Sequence, residues 1–262
     1  MTAFNALLLR DLHVLRKNLK EFLPRTLLQP LLLVFVFTYV LPKIQAGSPF
    51  GAEGQAGASI FSTTLVAGVI ASVILFQGIQ SVALPMVNEF GFTREIEDRV
   101  LAPMPVQFVA VQKIVSGALQ CLIAAVIVFP IAKFIPAVPI DIQFNWLELV
   151  TLLPLACIMA SALGLFFGTA FDPRTVPLLF GVIVVPLTFL GCIYYSWDSL
   201  SAIPWLQYLV LLNPLVYLSE GFRAALTPVP HMSLWAIYPV MIGFTVLFTW
   251  MGVRNFERRV ID

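Results

Sequence analysis

The chain has 262 residues, of which 60% are hydrophobic and 11% charged, with a formal net charge of +1 at pH 7. That balance leaves too little polar surface to cover a water-soluble domain and excludes one, so the bilayer has to be the solvent. A near-neutral total likewise excludes the strong charge bias of a nucleic-acid binder, and the information lies in where the charges sit.

Residues 1–25 form the first unit. Phe4, Leu8, Leu12, Leu15, Leu19 and Phe22 recur at three- and four-residue spacing, and Arg10, His13, Arg16, Lys17 and Lys20 occupy the opposite face. The pattern predicts an amphipathic helix lying in the membrane interface, since the chain offers no soluble core for it to pack on. These charges precede the first apolar run, so the segment is expected to be retained rather than cleaved as a signal peptide.

The second unit, residues 26–262, contains seven charge-free windows close to the about 20 residues that a span requires. They are 26–42, 54–88, 114–132, 149–171, 175–197, 199–219 and 224–253. Span one is expected over 26–42, with Pro30 near its start where a missing amide donor is tolerated. A Gly/Ser/Pro-rich loop over 46–59 follows, then span two over 60–86 and a charged connection over 88–105.

Span three is expected over 106–132, with Lys113 close enough to its start for the ammonium to snorkel to the interface. Span four covers 147–171, where Ala160, Gly164 and Gly168 sit four apart as a small-residue stripe that admits another helix closely. Asp172-Pro173-Arg174 leads to span five over 176–195, with a kink expected at Pro186. Span six covers 234–253.

The window 199–219 is broken by Asn213-Pro214 into halves too short to cross about 30 Å of hydrocarbon. It predicts a re-entrant or exterior helical segment over 199–223. Six spans put eleven basic residues in the cytoplasm and leave Lys43, Lys133 and Arg223 outside, whereas a seventh crossing gives nine against five. Basic residues favour the cytoplasmic side, so the expected fold is an all-α integral membrane protein of six spanning helices with both termini inside.

The span interiors contain no Asp, Glu or His, which argues against an ion-coupled carrier. Glu148 sits at the outer end of span four and Glu220 beyond the Asn213-Pro214 break, so both are expected to be solvated at the interface. None of the 15 glycines is followed by Lys, so no Walker A loop exists. His13 and His231 lie far apart in the chain, and no catalytic triad or metal cluster suggests itself. Cys121, Cys157 and Cys192 fall inside apolar windows without Cys-x-x-Cys spacing and read as packing residues.

A stand-alone channel or ion-coupled carrier and a membrane-embedded lipid enzyme stand as alternatives to a partner-driven transporter. Between spans two and three, Arg94-Glu95-Ile96-Glu97-Asp98-Arg99-Val100-Leu101 predicts a short helix with a Glu95/Arg99 pair and Ile96/Val100 on a second face. Pro103 and Pro105 end it. On these residues alone, a docking helix and a solvated loop are equally good readings.

Three segments, REIEDRVLAPMPV (94–106), VPLTFLGCIYYS (185–196) and PWLQYLVLLNPLVYLSEGFR (204–223), resemble the ABC-2 family of ATP-binding-cassette permeases. With the amphipathic start and the basic end Phe256-Glu257-Arg258-Arg259, the resemblance covers nearly the whole chain. It is nearest to stand-alone bacterial permeases of drug, polysaccharide or lipid exporters.

The resemblance implies a transport subunit of the cytoplasmic (inner) membrane that is not itself an enzyme. It implies a second permease copy, as homodimer or related chain, and two cytoplasmic ATP-binding subunits that hold the ATP and Mg²⁺; no cofactor belongs to this chain. Arg94, Glu95, Glu97, Asp98 and Arg99 would couple to the ATPase subunit, and Asn213, Pro214, Glu220 and Arg223 would belong to the re-entrant segment. A substrate route along spans two and five would be lined by Phe76, Gln77, Gln80, Phe189, Tyr194 and Tyr195. The aromatics among these also suit lipid contact, and Gln77 and Gln80 also suit helix packing. Export, driven by partner closure pushing on 94–99 and rocking spans two and five, follows from the resemblance.

Overall fold

A computed structural model describes residues 3–18, 20, 24, 28, 31–32, 34–40, 51–91, 105–134, 143–172 and 175–261, and among the described residues every regular element is helical. The first helix, α1, is Ala3–Lys17. It does not face lipid alone: Leu15 is buried, and Gln112 Nε2 donates to Asp11 Oδ2 at 2.9 Å. Of span one, residues 28, 31–32 and 34–40 are described, and all of them are helical. Its end is a π-helical turn, Val36–Val40, in which buried Thr38 donates to Val34 O at 2.6 Å.

Helix α2 is Gly51–Gly91, so it starts within the segment expected to be a loop. Pro49 is the last helix breaker before it, and the next proline is Pro85, so nothing in 51–59 stops an α-helix from extending outward. Helices α3, Val106–Phe134, and α4, Trp146–Ala170, match the expected spans within two residues.

Span five differs from expectation. It comprises α5, Val176–Leu179, a π-helical turn, Phe180–Val184, and α6, Val185–Phe189, after which the chain turns. Pro186 lacks an amide hydrogen and its ring crowds the carbonyl four residues earlier. The wider turn just before it relieves that crowding, and the helix ends well short of residue 195.

Helices α7, Pro204–Leu209, and α8, Pro214–Leu226, follow. The helical stretches 204–212 and 214–226 are bent by 97° at Asn213. Pro214 pushes the residue before it out of the helical region, and Asn213 Oδ1 caps the new helix by accepting from Leu215 N at 2.9 Å. Helix α9, Leu234–Ile261, runs on past residue 253 through the whole basic end.

Among the described residues four helical stretches are long and apolar enough to cross a membrane: Phe61–Gly91, Val106–Pro130, Trp146–Ala170 and Leu234–Val260. The bent pair is a fifth candidate by length and composition.

Helix α2 is the axis of the bundle, with 62–75 buried without interruption. Its tightest partner is α4. A Cβ added at Gly78 would lie 2.3 Å from Ala160 Cβ, and one at Gly164 would lie 2.8 Å from Ile79 O. One at Gly168 would lie 2.8 Å from Met86 Cβ. The small-residue stripe of α4 therefore has α2 as its partner, and the missing side chains let the two backbones touch.

A separate apolar cluster, Val82, Met86, Val109, Ala110, Ile114, Ala162, Leu165 and Phe256, gathers the ends of α2, α4 and α9 with the start of α3. These four termini share one end of the bundle, where Arg254, Arg258 and Arg259 also lie. The elements α6 and α8 occupy the other.

Gly78→Ala and Gly164→Ala are expected to destabilise the purified protein by about 1–3 kcal/mol each through overpacking. Gly243→Ala, where an added Cβ meets nothing within 4 Å in the interior of α9, should leave stability unchanged or raise it slightly. Thermal unfolding in detergent, read by loss of the monodisperse peak, distinguishes the two outcomes.

Candidate functional site

Every residue of α8 is buried, although it carries a carboxylate and a guanidinium. The reason lies in the backbone it faces. Beyond α6 the helical ladder ends, and the carbonyls of 187–195 need donors that water cannot supply in the interior.

One face of α8 and its cap provides them. Asn213 Nδ2 donates to Leu187 O at 2.7 Å, and Ser219 Oγ donates to Gly191 O at 2.7 Å. Arg223 Nη2 donates to Cys192 O at 2.9 Å and to Tyr195 O at 3.4 Å. Residues 219 and 223 are four apart and so share a helix face.

Glu220 works in the opposite sense, as an acceptor. Its Oε1 takes Trp197 N at 2.8 Å and pairs with Arg223 Nη1, while Oε2 takes Met232 N at 2.8 Å. Cys192 has a left-handed backbone, φ 53°, a conformation that costs about 1–3 kcal/mol in a side-chain-bearing residue. Its carbonyl is the one that Arg223 holds at the shorter distance. At the far end of α8, Gln143 N and Asn145 N donate to Leu226 O and Ala225 O, both at 2.9 Å, and so satisfy two carbonyls of the last turn.

This corrects the expectation that Glu220 is solvated and Arg223 an exterior cation. The two are 1% and 0% exposed. The 97° bend folds α8 back among α2, α4 and α9, and charges that leave water must then be paired and hydrogen-bonded. Lys113 is corrected in the same way: instead of snorkelling it pairs with Glu89, with the two side chains 5% and 7% exposed. That pair joins the last turns of α2 to the second turn of α3.

The candidate lining residues fall into two groups. Phe189 and Tyr194 stack with ring centroids 6.3 Å apart, and Tyr194 meets Phe37 at 5.8 Å. Tyr195 OH donates to Phe189 O at 3.1 Å. Phe76 and Gln80 are half-buried and Gln77 is buried, further along α2. Helix α2 meets the end of span five at Gly68, where an added Cβ would lie 2.3 Å from Ile193 O. Phe76 is about 12 Å along the axis from that point, so the two groups are not brought into contact there.

Arg94, Glu95, Glu97, Asp98 and Arg99 lie outside the described residues. Among the described residues no group of three His, Cys, Asp or Glu is arranged to hold a metal ion, and the three cysteines are buried and unpaired.

Glu220→Gln and Arg223→Met each leave a buried charge uncompensated, and each is expected to cost about 3–5 kcal/mol of stability. The double variant should lose less than the sum of the two, which a double-mutant cycle on thermal or denaturant unfolding in detergent measures.

A family model described as ABC-2 type transporter matches residues 2–227. The inner membrane transport permease YadH of Escherichia coli (strain K12) is 28% identical over 219 residues, covering 81% of this chain and 82% of that protein. A protein of the same description from Shigella flexneri is similar to the same extent.

Proposed function

This chain belongs to the ABC-2 type transporter family and is a membrane-embedded transport subunit, and from that premise we propose that it forms the substrate route of an exporter driven by a separate ATP-binding subunit. The family match over 2–227 carries the reading. The similarity to inner membrane permeases supports the cytoplasmic membrane of a bacterium as its place.

Six spans with both termini in the cytoplasm fit the distribution of charge. The end of the bundle where α2, α4 and α9 finish and α3 starts carries Arg254, Arg258 and Arg259, and α1 with Arg10, Arg16 and Lys17 packs against the same α3 start. Basic residues favour the cytoplasmic face. The described ends of α2 and α3 both lie there, and in sequence 94–99 falls between them, where an ATP-binding subunit would reach it.

In this reading Arg94, Glu95, Glu97, Asp98 and Arg99 dock on the ATP-binding subunit, which supplies the ATP and Mg²⁺ chemistry. Force from that segment enters α2 and α3 together, because Glu89 and Lys113 tie their adjoining turns. Since α2 and α4 touch backbone to backbone, displacement of one carries the other. At the opposite end α8 is bonded to the end of span five, so the two move as one body beside Phe189, Tyr194 and Tyr195. Two such chains, with the half-buried Phe76 and Gln80 facing the route and the buried Gln77 packed behind them, would complete the path. A lining of this composition suits amphipathic drugs, lipids or lipid-linked glycans.

The test is co-purification with an ATP-binding-cassette ATPase from the same organism, followed by ATP hydrolysis by the complex. The complex is expected to hydrolyse ATP and the isolated chain is not. The double charge reversal E95R/R99E should weaken association about tenfold or more while leaving the chain folded. Dye or lipid movement by the isolated chain in liposomes without an ATPase would overturn the reading, and unchanged association of the variant would overturn the coupling assignment.

A further inference from the structure

At the basic end of the bundle, between the last turn of α4 and the last turns of α9, lies a recess of about 400 Å³ lined by Thr169, Ala170, Asn255, Arg258 and Arg259. None of these residues belongs to the bonded face of α8 or to the aromatic group at the end of span five. We propose that this recess binds the phosphate headgroup of an anionic phospholipid of the adjoining leaflet, whose acyl chains lie along the exposed stripe of α9. The assignment goes beyond the transport reading and requires only that the chain is embedded in a membrane.

Charge and geometry select the ligand. Two guanidinium groups line one small recess, and a guanidinium fork matches two phosphate oxygens at once. The Arg259 fork is already held: Nη1 donates to Gly168 O at 3.2 Å and the group sits over the Phe90 ring at 5.4 Å. Asp172 reaches Arg259 Nη2 at 3.4 Å, but its side chain is 85% exposed, so it offsets little of the charge. Arg258 is exposed and can close on a headgroup from the other side.

Depth selects a lipid over free phosphate. Before the recess α9 presents Val246, Leu247 and Trp250 as exposed residues, Trp250 at 58%. Arg254 lies over the Trp250 ring at 5.4 Å, one turn from Arg258. An indole followed by arginines marks the level where hydrocarbon gives way to headgroups. A lipid whose tails follow Val246 to Trp250 therefore brings its phosphate past Arg254, one turn before the recess, to Arg258, which lines it. Inorganic phosphate has the same fork chemistry without the apolar anchor.

The test is native mass spectrometry of the full chain in a neutral detergent, doped with equimolar phosphatidylglycerol and phosphatidylcholine. Phosphatidylglycerol should be retained in preference, and Arg258→Gln should lower its retention about fivefold with phosphatidylcholine unaffected. Because Arg258 is exposed, the variant should unfold at the wild-type temperature, and Arg258→Lys should restore part of the retention by keeping the charge without the fork. Equal retention of both lipids, or an Arg258→Gln variant indistinguishable from wild type, overturns the proposal. Displacement of phosphatidylglycerol by millimolar inorganic phosphate, with equal thermal protection, would assign the recess to free phosphate. Loss of ATP-binding-subunit association in Arg258→Gln with lipid retention intact would make it a protein contact. Either result removes the lipid assignment.

Discussion

A backbone that leaves its helix inside an apolar bundle has to find hydrogen-bond partners there, and this requirement organises one end of the molecule. The carbonyls of Leu187, Gly191, Cys192 and Tyr195 are met by Asn213, Ser219 and Arg223, and Glu220 gathers the amides of Trp197 and Met232. Replacing these groups by apolar ones would leave the broken strand of chain unsatisfied, so polar residues are retained where packing alone would favour leucine. The ion pair within α8 is a by-product of that arrangement, since each of its members also serves main-chain groups.

The same end shows why two prolines matter. Pro186 shortens span five and releases carbonyls, and Pro214 bends the chain so that a thirteen-residue helix arrives to receive them. Neither break is tolerable alone. Without α8 the end of span five would expose backbone to hydrocarbon, and without the released carbonyls Arg223 would be a guanidinium buried beside a single carboxylate. At the opposite end the bundle closes differently, through apolar packing around Met86, Leu165 and Phe256 and one buried Glu89–Lys113 pair. The α2–α4 contact between them is made by absent side chains at Gly78, Gly164 and Gly168. This closely packed pair of helices thus connects the basic end, closed by apolar packing, to the end where side chains replace missing backbone bonds.

Helix boundaries set by local chemistry were legible beforehand. The extents of α3 and α4 and the break at Asn213-Pro214 follow from hydropathy, 3.6-residue periodicity and proline sterics, all of which act over a few residues. The outward extension of α2 was missed because a Gly/Ala/Gln stretch suits helix and loop equally in isolation. The depth of Glu220, Arg223 and Lys113 was missed for another reason. A charged residue near a span end reads as solvated unless its partner is known, and Glu89 lies 24 residues from Lys113 while Arg223 serves carbonyls 28 and 31 residues away.

By itself the sequence determined the solvent, the class and the family: an all-helical membrane chain, an ABC-2 transport subunit, with a break before its last helix. Those properties are sums over local terms, transfer free energy and backbone sterics, that do not depend on where other segments lie. Only the tertiary structure decided that α8 turns inward, that its charges replace missing backbone bonds, and that two arginines of α9 meet Thr169 across a recess. Such pairings depend on the bend angle and on the close approach permitted by particular glycines, and neither is a property of any single stretch of chain.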